Sequence, residues 1–347
     1  MQAPSSMPSS KFAVRDPWVG AWLALIALMV AGMILLGGAT RLTDSGLSIT
    51  EWRPVTGALP PLSEADWRRA FHAYQSTTQY ALVNHGMSLD AFKTLFWWEW
   101  AHRFLGRAIG AAFALPFVIF WATGRLKGRV RPVLGLFALG GLQGAIGWWM
   151  VKSGLVGRVD VSPIRLAAHL GVAFIILALA LRLSLAAFAW PRRASMLGAP
   201  RALVWAFCGV LYLQILLGAL VAGNDAGRAY SDWPTIGGDW LPRTYAALEP
   251  FWRNLVENHA ALQFNHRMLG YAAALFALHI AGLGFRRAQG PAKPLAIALG
   301  LLALIQAGLG IAAIVTGAPL SVSLVHQGVA VLLWATAIAL TRALAWR

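Results

Sequence analysis

Long apolar runs, each about as long as a bilayer is thick, alternate along this chain with short basic strips and two longer polar loops. A spanning helix needs roughly 20 apolar residues. Eight runs qualify, at about 18–38, 97–123, 133–151, 164–189, 202–222, 258–285, 294–316 and 320–345. The pattern predicts an all-α polytopic membrane protein with eight transmembrane helices. Tryptophans such as Trp97, Trp98, Trp100, Trp148 and Trp149 flank the spans as interfacial belts do. The loop at 39–96 contains Ser63-Glu64-Ala65-Asp66, a capping box, followed by Trp67, Ala70, Phe71 and Tyr74 at helical spacing. A short amphipathic helix lying on the membrane surface is expected there, and a second helix starting at Ser88 leads into span two. The other long loop, 223–257, is shorter and richer in Gly, Pro and Asp.

Composition agrees with the pattern. The chain is 58% apolar and 12% charged, with mean hydropathy +0.61, whereas a soluble domain carries about 25% charged residues. The net charge of +16 would suit nucleic acid, but its placement argues against it. Basic residues gather in strips: Lys11/Arg15, Arg125/Lys127/Arg129/Arg131, Arg192/Arg193/Arg201, Arg286/Arg287/Lys293 and Arg342/Arg347. Acidic residues avoid these strips, apart from Asp16. That is the positive-inside pattern. It puts both termini and the strips in the cytoplasm, residues 1–17 as a polar tail and the two long loops outside. No cleavage site or transit peptide is evident, so a bacterial inner membrane is expected, with a mitochondrial inner membrane as the alternative. The single cysteine, Cys208, rules out an internal disulfide and reads as a small buried hydrophobe.

The chain also repeats itself. WEWAHRFLGR (98–107) returns as LQFNHRMLGY (262–271), and AAHLGVAF (167–174) as SLVHQGVAVL (323–332). Leu36-Gly37 to Asp44 matches Leu217-Gly218 to Asp225, and Gln143 to Gly147 matches Gln306 to Gly310. Two parallel four-helix halves are therefore expected, 18–190 and 202–347.

Each half carries two histidines at matched positions: His102 and His169, then His266 and His326. All four fall at one expected depth, roughly 7–12 Å below the outer helix ends at 1.5 Å per residue. Ionisable groups within a membrane are costly and usually functional. Helices that face one another with a histidine apiece are a way to hold haem in a bundle core. Gly106, Gly270, Gly171 and Gly328 follow the histidines closely and would let a flat macrocycle approach. Arg103, Arg107 and Arg267 suit anionic propionates. A mononuclear metal would want carboxylate or thiolate company, which the second half lacks beside His266. His72, His85 and His279 do not share the pattern. His259 lies on the same stripe as His266, and only the repeat chooses His266. Glu99 stands three residues before His102, where Gln263 stands in the second half. A carboxyl group there is suited to relay protons, and pairing with Arg103 is the alternative.

At these residues the chain resembles the haem A synthase family, in its proteobacterial and mitochondrial branch. The similarity runs through GGATRLTDSGLSITEWRPVTGALPPLS (37–63), FWWEWAHRFLGR (96–107), GLQGAIGWWMVKSGL (141–155), VSPIRLAAHLGVA (161–173) and NHRMLGY (265–271). The resemblance implies an eight-helix, two-bundle fold with oxidation of the C8 methyl group of haem O to the formyl group of haem A for terminal oxidases. It implies haem B as cofactor on His266 and His326, with Arg267 beside it. The substrate haem O would lie on His102 and His169, with Arg103 and Arg107 nearby and Glu99 as the acid–base residue. Its partners would be haem O synthase, an electron-transfer protein and the bilayer; a homo-oligomer is compatible. Some members carry a cysteine pair in the first outer loop, absent here, so no mechanism that uses it carries over. Arg41, Asp44, Glu51 and Arg53 lie in the matching loop and would either cap the substrate site or fold the loop. The rival readings are a di-haem b-type electron-transfer cytochrome and a haem-delivery or oxidase-assembly factor without chemistry.

Overall fold

The computed structural model describes residues 15–53, 56–190 and 201–344; Lys11, Arg192, Arg193 and Arg347 of the basic strips, and most of the N-terminal tail, lie outside them. Among the described residues there are ten α-helices, eight of them long and apolar enough to cross a membrane. In chain order they are α1 Pro17–Leu42, α2 Glu64–Gln75, α3 Thr78–Leu82, α4 Leu89–Ala122, α5 Val130–Gly154, α6 Pro163–Ala187, α7 Arg201–Gly223, α8 His259–Arg287, α9 Ala292–Val315 and α10 Leu320–Ala343.

Local chemistry sets where several helices begin. Asp16 caps α1, accepting from Trp18 N and Val19 N, with Pro17 in the first turn where its missing N–H is harmless. Asp16 is also bound by Arg125, whose Nε donates at 2.9 Å. This ties the start of α1 to the turn after α4. Ser63 and Asp66 form the expected capping box at the start of α2, and Ser88 caps α4. That cap starts α4 at Leu89, eight residues before the apolar run at 97 (97 − 89).

The extra turns of α4 have a partner. Tyr74, Phe92 and Phe96 form a small aromatic core with Trp67 and Phe71. Tyr74 stacks on Phe92 at 5.3 Å, and Trp67 meets Phe96 edge-on at 4.9 Å. The amphipathic face of α2 thus packs on α4. The short helix α3 had no signal in the hydrophobic pattern; Thr77 caps it, accepting from Tyr80 N.

Helix α1 packs on α4 and α6, α5 on α6, α8 on α7 and α9, and α10 on α9, while α6 also packs on α7 and α10. The main apolar core runs through Leu23, Ile26, Phe174, Leu177, Phe207, Leu211, Trp334 and Ile338. Half of the most apolar stretch of α6 is buried but only 6% of that of α4, so α6 is central and α4 turns outward toward lipid. In lipid, polar groups must find partners within the protein. Trp334 Nε1 donates to Phe174 O at 3.0 Å, and Arg182 Nη1 to Thr341 Oγ1 at 2.7 Å.

Candidate functional site

The helices sort the eight histidines into two sets. His72, His85, His259 and His279 are exposed. His259, the alternative to His266, is the first residue of α8, just after the capping Asn258. His102 on α4, His169 on α6, His266 on α8 and His326 on α10 are half-buried within the bundle. His102 lies near His169, and His266 near His326.

Each of these imidazoles faces a glycine on a neighbouring helix. A β-carbon at Gly37 would come within 3.2 Å of His102 Nε2, and one at Gly147 within 2.9 Å of His169 Cε1. Gly218 and Gly310 stand to His266 and His326 in the same way, each at 3.1 Å from Cε1. Real β-carbons essentially never come as close as the Gly147 contact and seldom as close as the other three, so the missing side chains make room for the rings. These four glycines differ from those the sequence pointed to. Gly106 and Gly270, one turn after their histidines, instead face Met33 and Gln214, and Gly171 packs on Tyr212.

Three of the four rings have an amide beside them. Gln143 Nε2 lies 3.4 Å from His169 Nε2 and donates to the His169 carbonyl at 3.0 Å. Gln214 does the same to His266, at 3.4 and 3.0 Å. Gln306 Nε2 lies 3.2 Å from His326 Nε2. In all three pairs the histidine Nδ1 and the glutamine Oε1 are buried without a partner, a rare condition for buried polar atoms. The repeat carries a signal for Gln214, since QILLG (214–218) aligns with MILLG (33–37).

Glu99 and Gln263 do parallel work with opposite chemistry. Glu99 is buried. Ser48 Oγ and Ile49 N donate to its Oε2, both at 2.7 Å, while Arg103 Nε and Nη2 donate to its Oε1 at 3.0 and 2.6 Å. Arg103 also donates to the carbonyls of Ile49 and Glu51. The pair therefore clamps the loop after α1 onto α4. In the second group Gln263 Nε2 donates to Ala226 O and Tyr230 O, and Arg267 Nη2 donates to Gln263 Oε1. Arg267 Nη1 reaches the carbonyls of Asp232 and Thr235. The first loop offers donors and meets a carboxylate; the second offers carbonyls and meets an amide. Pairing of Glu99 with Arg103 is thus present, and Arg103 and Arg267 are engaged with their loops. Arg107 likewise donates to Arg53 O at 2.8 Å.

Asp232 completes the second clamp. Backbone N–H groups of Gly238 and Gly237 hold its carboxyl at about 2, against a slight opposing effect of burial, and the Thr235 hydroxyl helps.

The loop residues also pair among themselves. Arg41 binds Asp44 at 2.7 Å, Asp225 at 2.6 Å and Asp160 at 3.6 Å, and Arg53 binds Glu51. Asp44 and Asp225, matched in the repeat, both adopt left-handed backbone with φ 52°, which Asp tolerates better than most residues. Burial raises the Asp44 carboxyl, and Arg41 pulls it the other way. Arg41 thus ties the end of α1 to the end of α7, the loop-folding alternative for this residue.

Fold and site together define a polytopic all-helical membrane protein with two imidazole pairs set among glycines. The family model for COX15-CtaA, cytochrome oxidase assembly protein, matches residues 20–338. The chain is 49% identical over 325 residues to a protein named heme A synthase from Maricaulis maris, covering 92% of this chain and 94% of that one. It is 46% identical over 340 residues to a heme A synthase from Caulobacter vibrioides, covering 96% of each. The chain belongs to the haem A synthase family, the COX15-CtaA cytochrome oxidase assembly proteins.

Proposed function

We propose that this chain is a haem A synthase, an oxidoreductase that converts the C8 methyl group of haem O to the formyl group of haem A. Its relatives support the activity, and the imidazole–glycine contact, found four times, carries the reading of the two sites. Each site presents two imidazoles and no carboxylate or thiolate ligand. No group of three or more His, Cys, Asp or Glu suited to a metal ion occurs among the described residues. Three of the imidazoles keep a buried nitrogen without a partner. This donor set fits an iron porphyrin held on two axial histidines and does not fit a tetrahedral ion.

In this reading His266 and His326 hold a resident haem B, and His102 and His169 hold the substrate haem O. Haem iron supplies the redox chemistry, while the protein supplies position and electrostatics. Glu99 is what the substrate half has and the other lacks. Fixed by Arg103, its carboxylate would supply negative charge to the substrate half, which the other half lacks. As an acid–base residue it would exchange its proton through the Ser48 hydroxyl, the one partner of Glu99 able both to give and to take one. Arg103, Arg107 and Arg267 would be the cations available to the propionates. Basic strips at the ends of the helices away from the long loops support a bacterial inner membrane with both termini in the cytoplasm. Haem O synthase would supply the substrate and a separate electron carrier would complete the redox cycle.

The test is pigment extraction from the purified protein made beside a haem O source. Haem A is expected. Haem O alone would favour a delivery factor, and haem B alone an electron-transfer cytochrome.

A further inference from the structure

The two halves differ most where their second and third helices meet. In the second half α8 and α9 pack along their length, whereas in the first half α4 and α5 meet only briefly. The side chains at the seam give the reason. A β-carbon at Gly300 would come within 2.6 Å of Ala281 Cβ, and one at Gly284 would clash with Ala296 Cβ. Helix α8 thus turns Ala277, Ala281 and Gly284 toward Ala296 and Gly300 of α9, and small residues let membrane helices approach closely. The repeat matches these α8 positions to Phe113, Phe117 and Phe120, and the α9 positions to Val133 and Phe137. Phe137 stacks on Phe113 at 5.3 Å and on Phe117 at 6.2 Å. Rings stand where the other half has methyl groups and hydrogens, and they wedge α4 away from α5.

Toward the outer side both walls of this seam turn to glycine. Gly110 lies one turn from Phe113, and Gly140 and Gly144 continue the Phe137 face of α5 at helical spacing. All three are exposed, and a β-carbon at any of them would meet nothing within 4 Å. Ala303, the counterpart of Gly140 in the second half, is buried. One turn beyond Gly144, Trp148 meets Trp52 of the first loop at 5.0 Å. The cleft is therefore floored by phenylalanines, roofed by Trp52 and open at its side. Its walls also carry the first site, with His102 on α4 and the glycine opposite His169, Gly147, on α5.

Haem O differs from haem B by a long isoprenoid tail on the porphyrin edge. A seam closed like that of α8 and α9, packed at the density of a protein interior, has no room for such a tail. Resting on the site reading above, we propose that the α4–α5 cleft holds the isoprenoid tail of haem O and is the side door by which this substrate enters from the bilayer. The ring lodges at His102 and His169, and the tail runs out past Gly110, Gly140 and Gly144. The wedge of Phe113, Phe117 and Phe137 keeps the helices apart. The closed seam of the second half suits a tailless haem that stays.

The test offers haem O or tailless protohaem to the full-length protein, made without a haem O source and placed in lipid nanodiscs; retained haem is extracted and typed. The wild type takes up haem O at the first site. Gly140→Trp and Gly144→Trp fill the cleft from exposed positions. Each weakens haem O uptake about tenfold or more, with protohaem uptake and the haem B of the second half unchanged. In a second route, Gly110→Cys with Gly140→Cys is joined after folding by a bis-maleimide spacer, Cys208 being buried. Joining stops haem O entry, and the unjoined protein takes it up; this comparison decides if a tryptophan variant also loses haem B. Undiminished haem O uptake in the tryptophan variants, equal losses of haem O and protohaem in them, or entry unaffected by joining would overturn the tail assignment alone. Haem O uptake unchanged by His102→Ala would overturn the two-site reading and this inference with it.

Discussion

Replacing Glu99 by glutamine alters one atom but leaves the loop clamp without a consistent partner set. The carboxylate accepts from Ser48 Oγ and Ile49 N on one oxygen and from Arg103 twice on the other. An amide has one accepting end. Turned toward Arg103, its NH2 meets the Ile49 N–H; turned toward the loop, its NH2 meets the guanidinium. Either way two donors face each other in a buried place. Breaking a buried, hydrogen-bonded ion pair from one side costs about 3–5 kcal/mol. At about 1.4 kcal/mol per tenfold, local opening of the loop should rise by roughly two to three and a half orders of magnitude. Hydrogen exchange resolved to peptides covering 45–53 should show that loss of protection, while peptides in 226–235 stay as protected as before. Gln263→Glu should do the reverse, because a carboxylate would then face the Ala226 and Tyr230 carbonyls. Loop protection unaltered in both variants would refute the clamp.

Other consequences are equally direct. Gly147→Ala puts a methyl group 2.9 Å from His169 Cε1, so haem content of the first site should fall severalfold while haem B stays; pyridine haemochrome analysis after extraction checks it. Arg41→Ala leaves Asp44, Asp160 and Asp225 together without their shared cation, and the thermal midpoint in detergent should fall, with partial recovery in high salt. The Asp232 carboxyl sits lower in the folded protein, at about 2, than its usual 3.8. Its contribution is therefore complete above about pH 4 and fades as pH falls toward 2. Proteolysis of the 232–244 loop by pepsin should increase across that interval in the wild type, and already be fast at its upper end in Asp232→Asn.

The fold was legible because lipid forces long apolar helices. All eight expected spans coincide with helices to within a few residues, save the start of α4, where the Ser88 cap and the aromatic residues Phe92 and Phe96 extend the helix beyond its apolar run. The histidines of interest were legible through the repeat. Their neighbours were less so. Glycines flanking each histidine in sequence drew attention, yet the ones that meet the rings lie on the adjacent helix, where only packing can place them. The Glu99–Gln263 difference suggested unequal chemistry in the two halves. What sequence alone could not show is that each side chain answers the donors or carbonyls its own loop presents. Gln214 escaped notice because its repeat partner is the chemically unrelated Met33.

Low-spin haem signals, read by electron paramagnetic resonance on the purified wild type and on the four single variants His102→Ala, His169→Ala, His266→Ala and His326→Ala, test the two-site assignment most directly. The expected result is two distinct bis-imidazole signals, one lost or converted to high spin by either change in the first pair, the other by either change in the second. A spectrum that survives all four changes combined, or a purified protein without haem, would contradict it.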